Sequence, residues 1–340
     1  MTREFDRRKF LVSTGAAGSL FLAGCAGGGN GDGDGTGTDG GGGGDTTGTD
    51  GGGGMTGTDE ETTDGGGGGT PADRDSPIRV GVLLPLTGDL GELGVPIRDG
   101  AILPFTQLEG ETDFELQQQV EDTQTDPNAA QSAAQSLVNA GFPAVTGAAS
   151  SGVSLQVYRN VFIPNGVAAC SPASTSPEIS GLNDNDLIFR TPPTDVLQGQ
   201  VMAQVSTEQN DASSAATLYV NNSYGQLLSE SFAGAFEERD GTVQNQVSFQ
   251  PEQSSYVPRL ESALSGNPDT LIIIGYPASG VQMFRDFYAN FDQGDLPILV
   301  TDGLREPSLP ANVDNPMENV QGTAPLASGP GTEFFANLYQ

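Results

Sequence analysis

From residue 78 onward, the chain alternates short β-rich stretches with amphipathic ones. "IRVGVLLPL", "VAACSP" and "TLIIIGY" are typical of strands. "PNAAQSAAQSLVNAG" has helical spacing, and it begins with Pro and ends with Gly, as helix punctuation requires. A strict alternation of strand and helix predicts a mainly parallel, doubly wound α/β sheet with helices on both faces.

The same pattern restarts in the middle of the chain. "LIFRTPP" is expected to be a crossover, after which strand "AATLYVNN" and helix "QLLSESFAGAFEERDG" resume the alternation. We therefore expect an N-terminal lobe at 78–190 and a C-terminal lobe at 191–322. Ligands of open α/β sheets bind beyond the carboxyl ends of the strands. The loops expected to matter are "LTGDLGELG", "GAASSG", "SPASTSPE", "NNSYG", "GYPASG" and "TDGLRE".

Residues 1–25 have the pattern of an export signal. Arg7 and Arg8 stand before an apolar run that is too short to span a bilayer. The Arg-Arg-x-Phe-Leu pattern resembles a twin-arginine signal, and the Leu-Ala-Gly-Cys stretch that ends at Cys25 resembles a lipoprotein processing box. Cys25 is then expected to carry the lipid that holds the protein at the extracellular face of the membrane. The alternative is a chance cysteine after an uncleaved anchor.

Residues 26–77 are rich in Gly, Asp and Thr and contain almost no apolar side chains. Such a composition cannot offset the chain entropy lost on folding, so this segment is expected to be a disordered tether. Asn221, in "NNS", is the one clear N-glycosylation acceptor.

The charge is strongly negative, with a formal value of −31 from 44 acidic and 13 basic residues. This excess argues against nucleic acid and anionic membrane surfaces as partners. It fits the solvated acidic surface of a halophilic protein, and an acidic face for a basic partner is the alternative.

The chain contains no histidine, which excludes Ser-His-Asp and Cys-His catalysis and imidazole metal sites. No cofactor is expected. Cys25 and Cys170 stand in unlike surroundings, so no disulfide is expected, and Cys170 is interpreted as a small core residue.

Several stretches, in this order, resemble the solute-binding proteins of branched-chain amino-acid ABC importers. They are "IRVGVLLPLTGDLGELGVPIRDGA", "EDTQTDPNAAQSAAQSLVNAGFPAVTGAASS", "SPASTSPEIS", "FRTPPTDVLQGQVMA" and "NSYGQLLSESFAGAF". The resemblance runs from about Ile78 to the end of the chain and implies the two-lobed type 1 periplasmic-binding-protein fold. Family members continue past the position of Gln340. Residues 323–340 are therefore expected to start a return into the first lobe and to stop before its last strands.

The resemblance also implies where the charged groups of an amino acid are held. The Ser150 hydroxyl and the donors of Ala173 and Thr175 would hold the α-carboxylate, a role that hydroxyls and N–H groups at helix starts suit. Judged from the residues alone, Ser150 and Thr175 could instead be helix N-caps only. Tyr276 and Asp302 fall on the second-lobe positions, and Asp302 would face the α-ammonium. It stands where the family has the longer Glu.

The remaining positions implied by the resemblance shape the ligand side chain. Tyr224 matches an aromatic residue that closes over the ligand, and it could equally lie at the edge of the core. Leu93, Ala148 and Ala149 imply an apolar and roomy pocket that favours a branched or aromatic amino acid. Small amides and urea are the alternative ligands, since they also bind members of this family.

The function implied is capture of an amino acid between two lobes, closure, and delivery to ABC permease subunits. A sensor of the same fold would use the same ligand chemistry. An enzyme is disfavoured, because the chain has no histidine and no paired carboxylate motif at its strand ends.

Overall fold

The computed structural model describes residues 76–292 and 295–325. Arg7, Arg8 and Cys25, the expected tether up to residue 75, and the segment 326–340 lie outside the described residues. Among the helices of the described part, none combines the length and hydrophobicity that a membrane crossing needs.

The first lobe is built on strands β1 (Ile78–Leu84), β2 (Leu116–Asp122), β3 (Ala144–Gly147), β4 (Ala168–Ser171) and β5 (Ile188–Arg190). These five strands are parallel and lie in the order β2-β1-β3-β4-β5. Its helices are α1 (Gly91–Leu108), α2 (Pro127–Asn139) and α3 (Ser151–Val157). Helix α3 continues through a π turn, Tyr158–Phe162, and a 3₁₀ turn, Ile163–Asn165.

The second lobe repeats the arrangement with strands β6 (Ser214–Val220), β7 (Thr242–Phe249), β8 (Thr270–Ile274), β9 (Ile298–Val300) and β10 (Val320–Gly322). They are again parallel, in the order β10-β9-β8-β6-β7. Its helices are α4 (Asp195–Glu208), α5 (Ser223–Glu237), α6 (Val257–Leu264), α7 (Pro277–Asn290) and α8 (Leu309–Val313). The predicted fold class, two parallel doubly wound sheets with helices on both faces, is confirmed.

Each lobe buries its own apolar core. In the second lobe, β8 is fully buried along its length and packs with aromatic side chains such as Phe232 and Phe284. In the first lobe, Leu83, Leu137 and Phe162 are fully buried. Leu90, from the loop after β1, is buried in the second-lobe cluster, so the lobes are in direct contact.

Cys170 does not occupy the core position expected from the sequence. Along β4, Ala169 and Ser171 are buried, whereas Ala168 and Cys170 on the opposite face are half-buried. This follows from the alternation of side chains in a strand. Partial burial raises the pKa of the Cys170 thiol.

Candidate ligand-binding site

A cavity of about 730 Å³ lies between the lobes, beyond the carboxyl ends of the strands. Its volume is within the range of about 300–1,000 Å³ usual for small-molecule sites. The first lobe contributes residues after β1, β3 and β4, and the second lobe contributes residues after β6, β8 and β9. The loops predicted to matter therefore meet at one place.

The structure brings together the site residues predicted from the sequence. The residues of that set that line the cavity are Leu93, Ala149, Ser150, Ala173, Thr175, Tyr224, Tyr276 and Asp302. Ala148 is not among them. It is fully buried behind the wall, where its carbonyl accepts hydrogen bonds from the hydroxyls of Ser171 and Ser174.

Ser150 occupies the N-cap position of α3, but its side chain makes no capping hydrogen bond. Its hydroxyl instead lies 3.2 Å from the Tyr276 hydroxyl of the second lobe. The Ser150 hydroxyl therefore does not cap the helix. It forms a direct contact across the cavity.

The hydroxyls of the "SPASTSPE" loop mostly fix the loop itself. Ser151 Oγ accepts hydrogen bonds from the backbone N–H groups of Thr175 and Ser176, both at 3.2 Å. Ser154 and Ser174 join α3 to the loop through hydroxyls 2.7 Å apart. The N-cap of the following 3₁₀ turn is Ser176, whose Oγ accepts from Glu178 N at 3.3 Å. The backbone N–H of Thr175 is therefore already engaged by Ser151.

Tyr224 and Tyr276 form the aromatic wall of the second lobe. Their rings are stacked, with centroids 5.6 Å apart and an interplanar angle of 10°. The Tyr224 hydroxyl lies 3.0 Å from Asp302 Oδ1 and 2.8 Å from Thr301 Oγ1, and the Tyr276 hydroxyl accepts from Asn222 Nδ2 at 3.2 Å. Tyr224 thus both lines the cavity and positions Asp302.

The electrostatics of the site are dominated by burial. Burial raises the pKa of Asp302, and the neighbouring side chains of Gln198 and Tyr224 act in the opposite direction. Burial likewise raises the pKa of Tyr224 and of Tyr276, so both phenols stay protonated. Within the described part of the chain, no group of three or more acidic or cysteine side chains could hold a metal ion.

Two buried carboxylates close to the cavity were missed by the sequence analysis. Asp89, in the loop after β1, is 5% exposed, and Asp195, the first residue of α4, is fully buried. Asp89 lies within "LTGDLGELG", a loop expected to matter, but no pattern there marks an acid. Asp195 follows the N-cap Thr194, where an acidic residue is common for helix-dipole reasons.

Two parallel α/β lobes that enclose a cavity lined by both apolar and polar side chains define the class of two-lobed ligand-binding receptors. The chain matches the periplasmic binding protein family over residues 77–340, and it belongs to that family.

Two similar proteins have names that include branched-chain amino acids. The chain is 26% identical over 216 residues to Leu/Ile/Val-binding protein homolog 3 of Brucella melitensis, an alignment that covers 62% of this chain and 58% of the relative. It is 30% identical over 152 residues to the leucine-, isoleucine-, valine-, threonine- and alanine-binding protein of Pseudomonas aeruginosa, covering 44% and 40%. The matched regions thus span about half the length of these relatives.

Solved structures share the fold. A leucine-binding protein from Thermotoga maritima matches with a TM-score of 0.67 and 25% identity, over 77% of this chain and 75% of that one. The branched-chain amino-acid transporter substrate-binding protein of Streptococcus pneumoniae, in complex with isoleucine, matches with a TM-score of 0.66 and 19% identity. This match covers 78% of this chain and 76% of that one. An ABC transporter solute-binding protein of Rhodopseudomonas palustris, in complex with benzoate, matches with a TM-score of 0.66 and 17% identity. This match covers 78% of this chain and 73% of that one.

Proposed function

We propose that this protein is the extracytoplasmic solute-binding component of an ABC importer and that it captures an amino acid with an apolar side chain, branched-chain or similar. One observation carries the proposal. The cavity is lined by the hydroxyl-bearing residues Ser150 and Thr175 of the first lobe and by the buried carboxylate of Asp302 from the second lobe. Hydroxyl donors and a carboxylate are the groups that the two charges of a zwitterion need.

The buried carboxylate of Asp302 favours an amino acid over a simple carboxylic acid as the ligand. A buried carboxylate is costly unless a cation or several donors accompany it. Tyr224 supplies one hydroxyl to Asp302 Oδ1, and an α-ammonium group would supply the missing positive charge. Benzoate, the ligand of the Rhodopseudomonas palustris protein, carries no ammonium group that could pair with Asp302.

Part of the cavity wall is apolar. Leu93 and Ile97 of α1 and Ala149 of the loop after β3 line it, and none carries a polar side-chain atom. The small Ala149 leaves room for a branched or aromatic side chain. This wall supports an apolar amino acid more than a small amide such as urea, which would leave it unfilled.

Capture would proceed by closure of the lobes around the ligand. The hydroxyl contact between Ser150 and Tyr276, at 3.2 Å, joins the two lobes next to the ligand position. A second contact between the lobes, from Asp89 to Ser279, lies beside it. Each of these contacts would stabilise the closed form that a permease recognises.

The proposed location of the protein is the extracellular face of the cell membrane. Residues 1–25 would be a twin-arginine signal with lipidation at Cys25, and 26–77 would be the tether. The segment 323–340 would return toward the first lobe. The net charge of −31 supports a halophilic source.

Isothermal titration calorimetry with the full chain tests the proposal. The ligands are leucine, isoleucine, valine, phenylalanine and acetamide, and the variants are Asp302→Asn and Asp211→Asn, the latter an exposed acid that serves as a matched control. We expect an amino acid to bind near 1 μM, about −8 kcal/mol. Loss of the buried charge in Asp302→Asn should weaken binding by at least about 100-fold.

Three other outcomes would contradict the proposal. Heat with acetamide alone would make the protein an amide receptor. Absence of heat with every ligand would remove the amino-acid assignment. Equal binding by the Asp302→Asn and Asp211→Asn variants would remove the role of Asp302. Uptake of the bound amino acid by cells with and without the gene then tests delivery to a permease.

A further inference from the structure

Asp195 is a fully buried carboxylate without a hydrogen-bond donor. Its side chain is 0% exposed, and neither Oδ1 nor Oδ2 accepts a hydrogen bond. One turn further along α4, the buried Gln198 Oε1 also has no partner. Buried polar atoms are nearly always paired, and an isolated buried carboxylate is especially costly. We therefore expect these acceptors to receive a hydrogen bond from a group that is not part of the chain, such as a ligand.

Asp195 lies where the two lobes meet. Its backbone N–H donates to the Thr175 carbonyl of the first lobe at 3.0 Å, while its helix belongs to the second lobe. Thr175 and Asp302, which line the cavity, are both close enough to affect the charge of Asp195. Asp195 thus does not line the cavity itself, but it is hydrogen-bonded to Thr175, which does, and it lies within electrostatic reach of Asp302.

The charged and titratable neighbours of Asp195 come from three elements. Asp302 follows β9, Tyr224 is on α5, and Arg190 is on β5. Arg190 is already engaged, because its guanidinium donates to Ser176 O at 2.7 Å and to Ser180 Oγ at 2.5 Å. The guanidinium of Arg190, which favours ionisation of Asp195, is therefore hydrogen-bonded to another loop, and the second carboxylate, Asp302, opposes ionisation. Arg305 also lines the cavity.

The protonation of Asp195 reflects this environment. Burial raises the pKa of Asp195 to about 7, and the negative charge of Asp302 acts in the same direction. The Thr175 hydroxyl is close enough to lower this pKa, although it makes no hydrogen bond to either oxygen, and Arg190 also lowers it. Near neutral pH, the carboxyl group can therefore either hold or lose its proton.

We propose that Asp195 and Asp302 together form a cation-selecting pair of carboxylates at the cavity: without a ligand cation the pair holds one proton, and the ammonium group of an amino acid replaces it. The displaced proton passes to the solvent. This inference rests on the proposed capture of an amino acid by the same cavity. It adds a second carboxylate, and a proton, to the recognition of the ligand nitrogen.

The proposal predicts that selectivity for an amine depends on pH. A ligand that has the carboxylate but lacks the ammonium group can be enclosed only while the carboxylate pair keeps its proton. Raising the pH removes that proton and should exclude such a ligand. A ligand with an ammonium group supplies its own positive charge, so its affinity should rise relative to that of the ligand without the ammonium group.

Calorimetry with leucine and 4-methylpentanoate, which is leucine without its amine, measures this selectivity in the full chain. Between pH 6.0 and 8.5, the ratio of the leucine to the 4-methylpentanoate association constant should rise at least about tenfold, because a group with a pKa near 7 loses most of its proton over that interval. In Asp195→Asn the rise should be less than about threefold, since the amide cannot titrate. The Asp211→Asn control should behave as the wild type.

A constant ratio in the wild-type protein would overturn the proposal. So would a ratio that changes with pH in the same way in Asp195→Asn and in Asp211→Asn. If neither ligand binds, the amino-acid assignment fails. Thermal unfolding of the ligand-free protein then tests whether the carboxylate pair holds a proton.

The sign of that unfolding experiment follows from linkage. The folded-state pKa of Asp195 lies above its ordinary value, so ionisation costs stability as pH rises through about 7. Asp195→Asn should therefore raise the Tm relative to the wild type more at pH 8.5 than at pH 6.0, by at least about 3 °C. Equal Tm differences at the two pH values would overturn the proposal without any ligand.

Discussion

The Asp89 carboxylate of the first lobe caps the N-terminus of helix α7 in the second lobe. Its Oδ1 accepts hydrogen bonds from the Ser279 backbone N–H at 3.0 Å and from the Ser279 hydroxyl at 2.9 Å. Both residues are almost fully buried, and burial raises the pKa of Asp89 even though the Ser279 bonds lower it. A helix cap supplied from the opposite lobe exists only while the lobes touch, so it contributes to closure alone.

Removing this cap should weaken ligand binding. In Asp89→Ala, the closed form loses hydrogen bonds to a charged group, and we expect the leucine affinity to fall by about tenfold or more. Titration calorimetry checks this result. Asp113→Ala, an exposed acid of the same lobe, is the control and should bind as the wild type. An unchanged affinity in Asp89→Ala would show that the contact does not contribute to closure.

The hydroxyl contact across the cavity can be tested by a double-mutant cycle. Tyr276→Phe removes the hydroxyl that lies 3.2 Å from Ser150 Oγ but keeps the ring stacked on Tyr224. We expect it to lower the leucine affinity by about threefold to tenfold, and Ser150→Ala to lower it similarly. Because the two hydroxyls contact each other, the double variant should lose less than the product of the single losses. Strictly multiplicative losses would contradict the contact.

Most of the architecture could be predicted from the sequence, because long elements carry a periodic pattern. Strand β8, "TLIII", is apolar throughout, and helix α2 begins with Pro and places Ala130, Ala134 and Leu137 on one buried face. Some of the short elements could not be predicted. Helix α8 has five residues and strand β10 has three, and neither is long enough for a period to emerge.

The site could be predicted only in part. Ser150 and Asp302 follow strand ends, where the topology of a parallel sheet places ligand-binding residues. Asp195 instead follows Thr194, whose hydroxyl accepts from Val196 N at 3.5 Å, so the local sequence explains an acid there as part of a helix start. Asp89 has its partner 190 residues away in the chain. Interactions between lobes leave no local pattern in the sequence.

Two glycines of helix α5 should respond oppositely to alanine. At Gly225, an added Cβ would lie 2.1 Å from the Val220 carbonyl oxygen, whereas at Gly234 it would meet nothing within 4 Å. We expect Gly225→Ala to destabilise the protein by about 1–3 kcal/mol, since the helix must move from β6. Gly234→Ala should stabilise it by up to about 1 kcal/mol, because Ala loses less backbone entropy in a helix. Urea unfolding measures both, and changes of the same sign would contradict the packing of this helix.

Asp122 should make the loop after β1 sensitive to acid. Its carboxylate, at the end of β2, accepts from Leu86 N and Gln124 N, both at 2.8 Å, and from Thr87 Oγ1 at 2.6 Å. Burial raises the pKa of Asp122, but the hydrogen bonds from Thr87, Gln124 and Leu86 together outweigh it, so the net pKa is below its ordinary value of 3.8. The folded protein therefore binds this proton less readily than the unfolded chain.

The stability contributed by Asp122 is present above pH 3.8 and is lost as the pH falls through the lower pKa of the folded state. Asp122→Asn should lower the Tm at pH 7, and the Tm difference from the wild type should shrink between pH 5 and pH 3, where the wild type also loses the charge. Thermal unfolding at these pH values checks the prediction, with the exposed Asp113→Asn as the matched control. A Tm difference that stays constant down to pH 3 would mean that Asp122 acts through its shape and not through its charge.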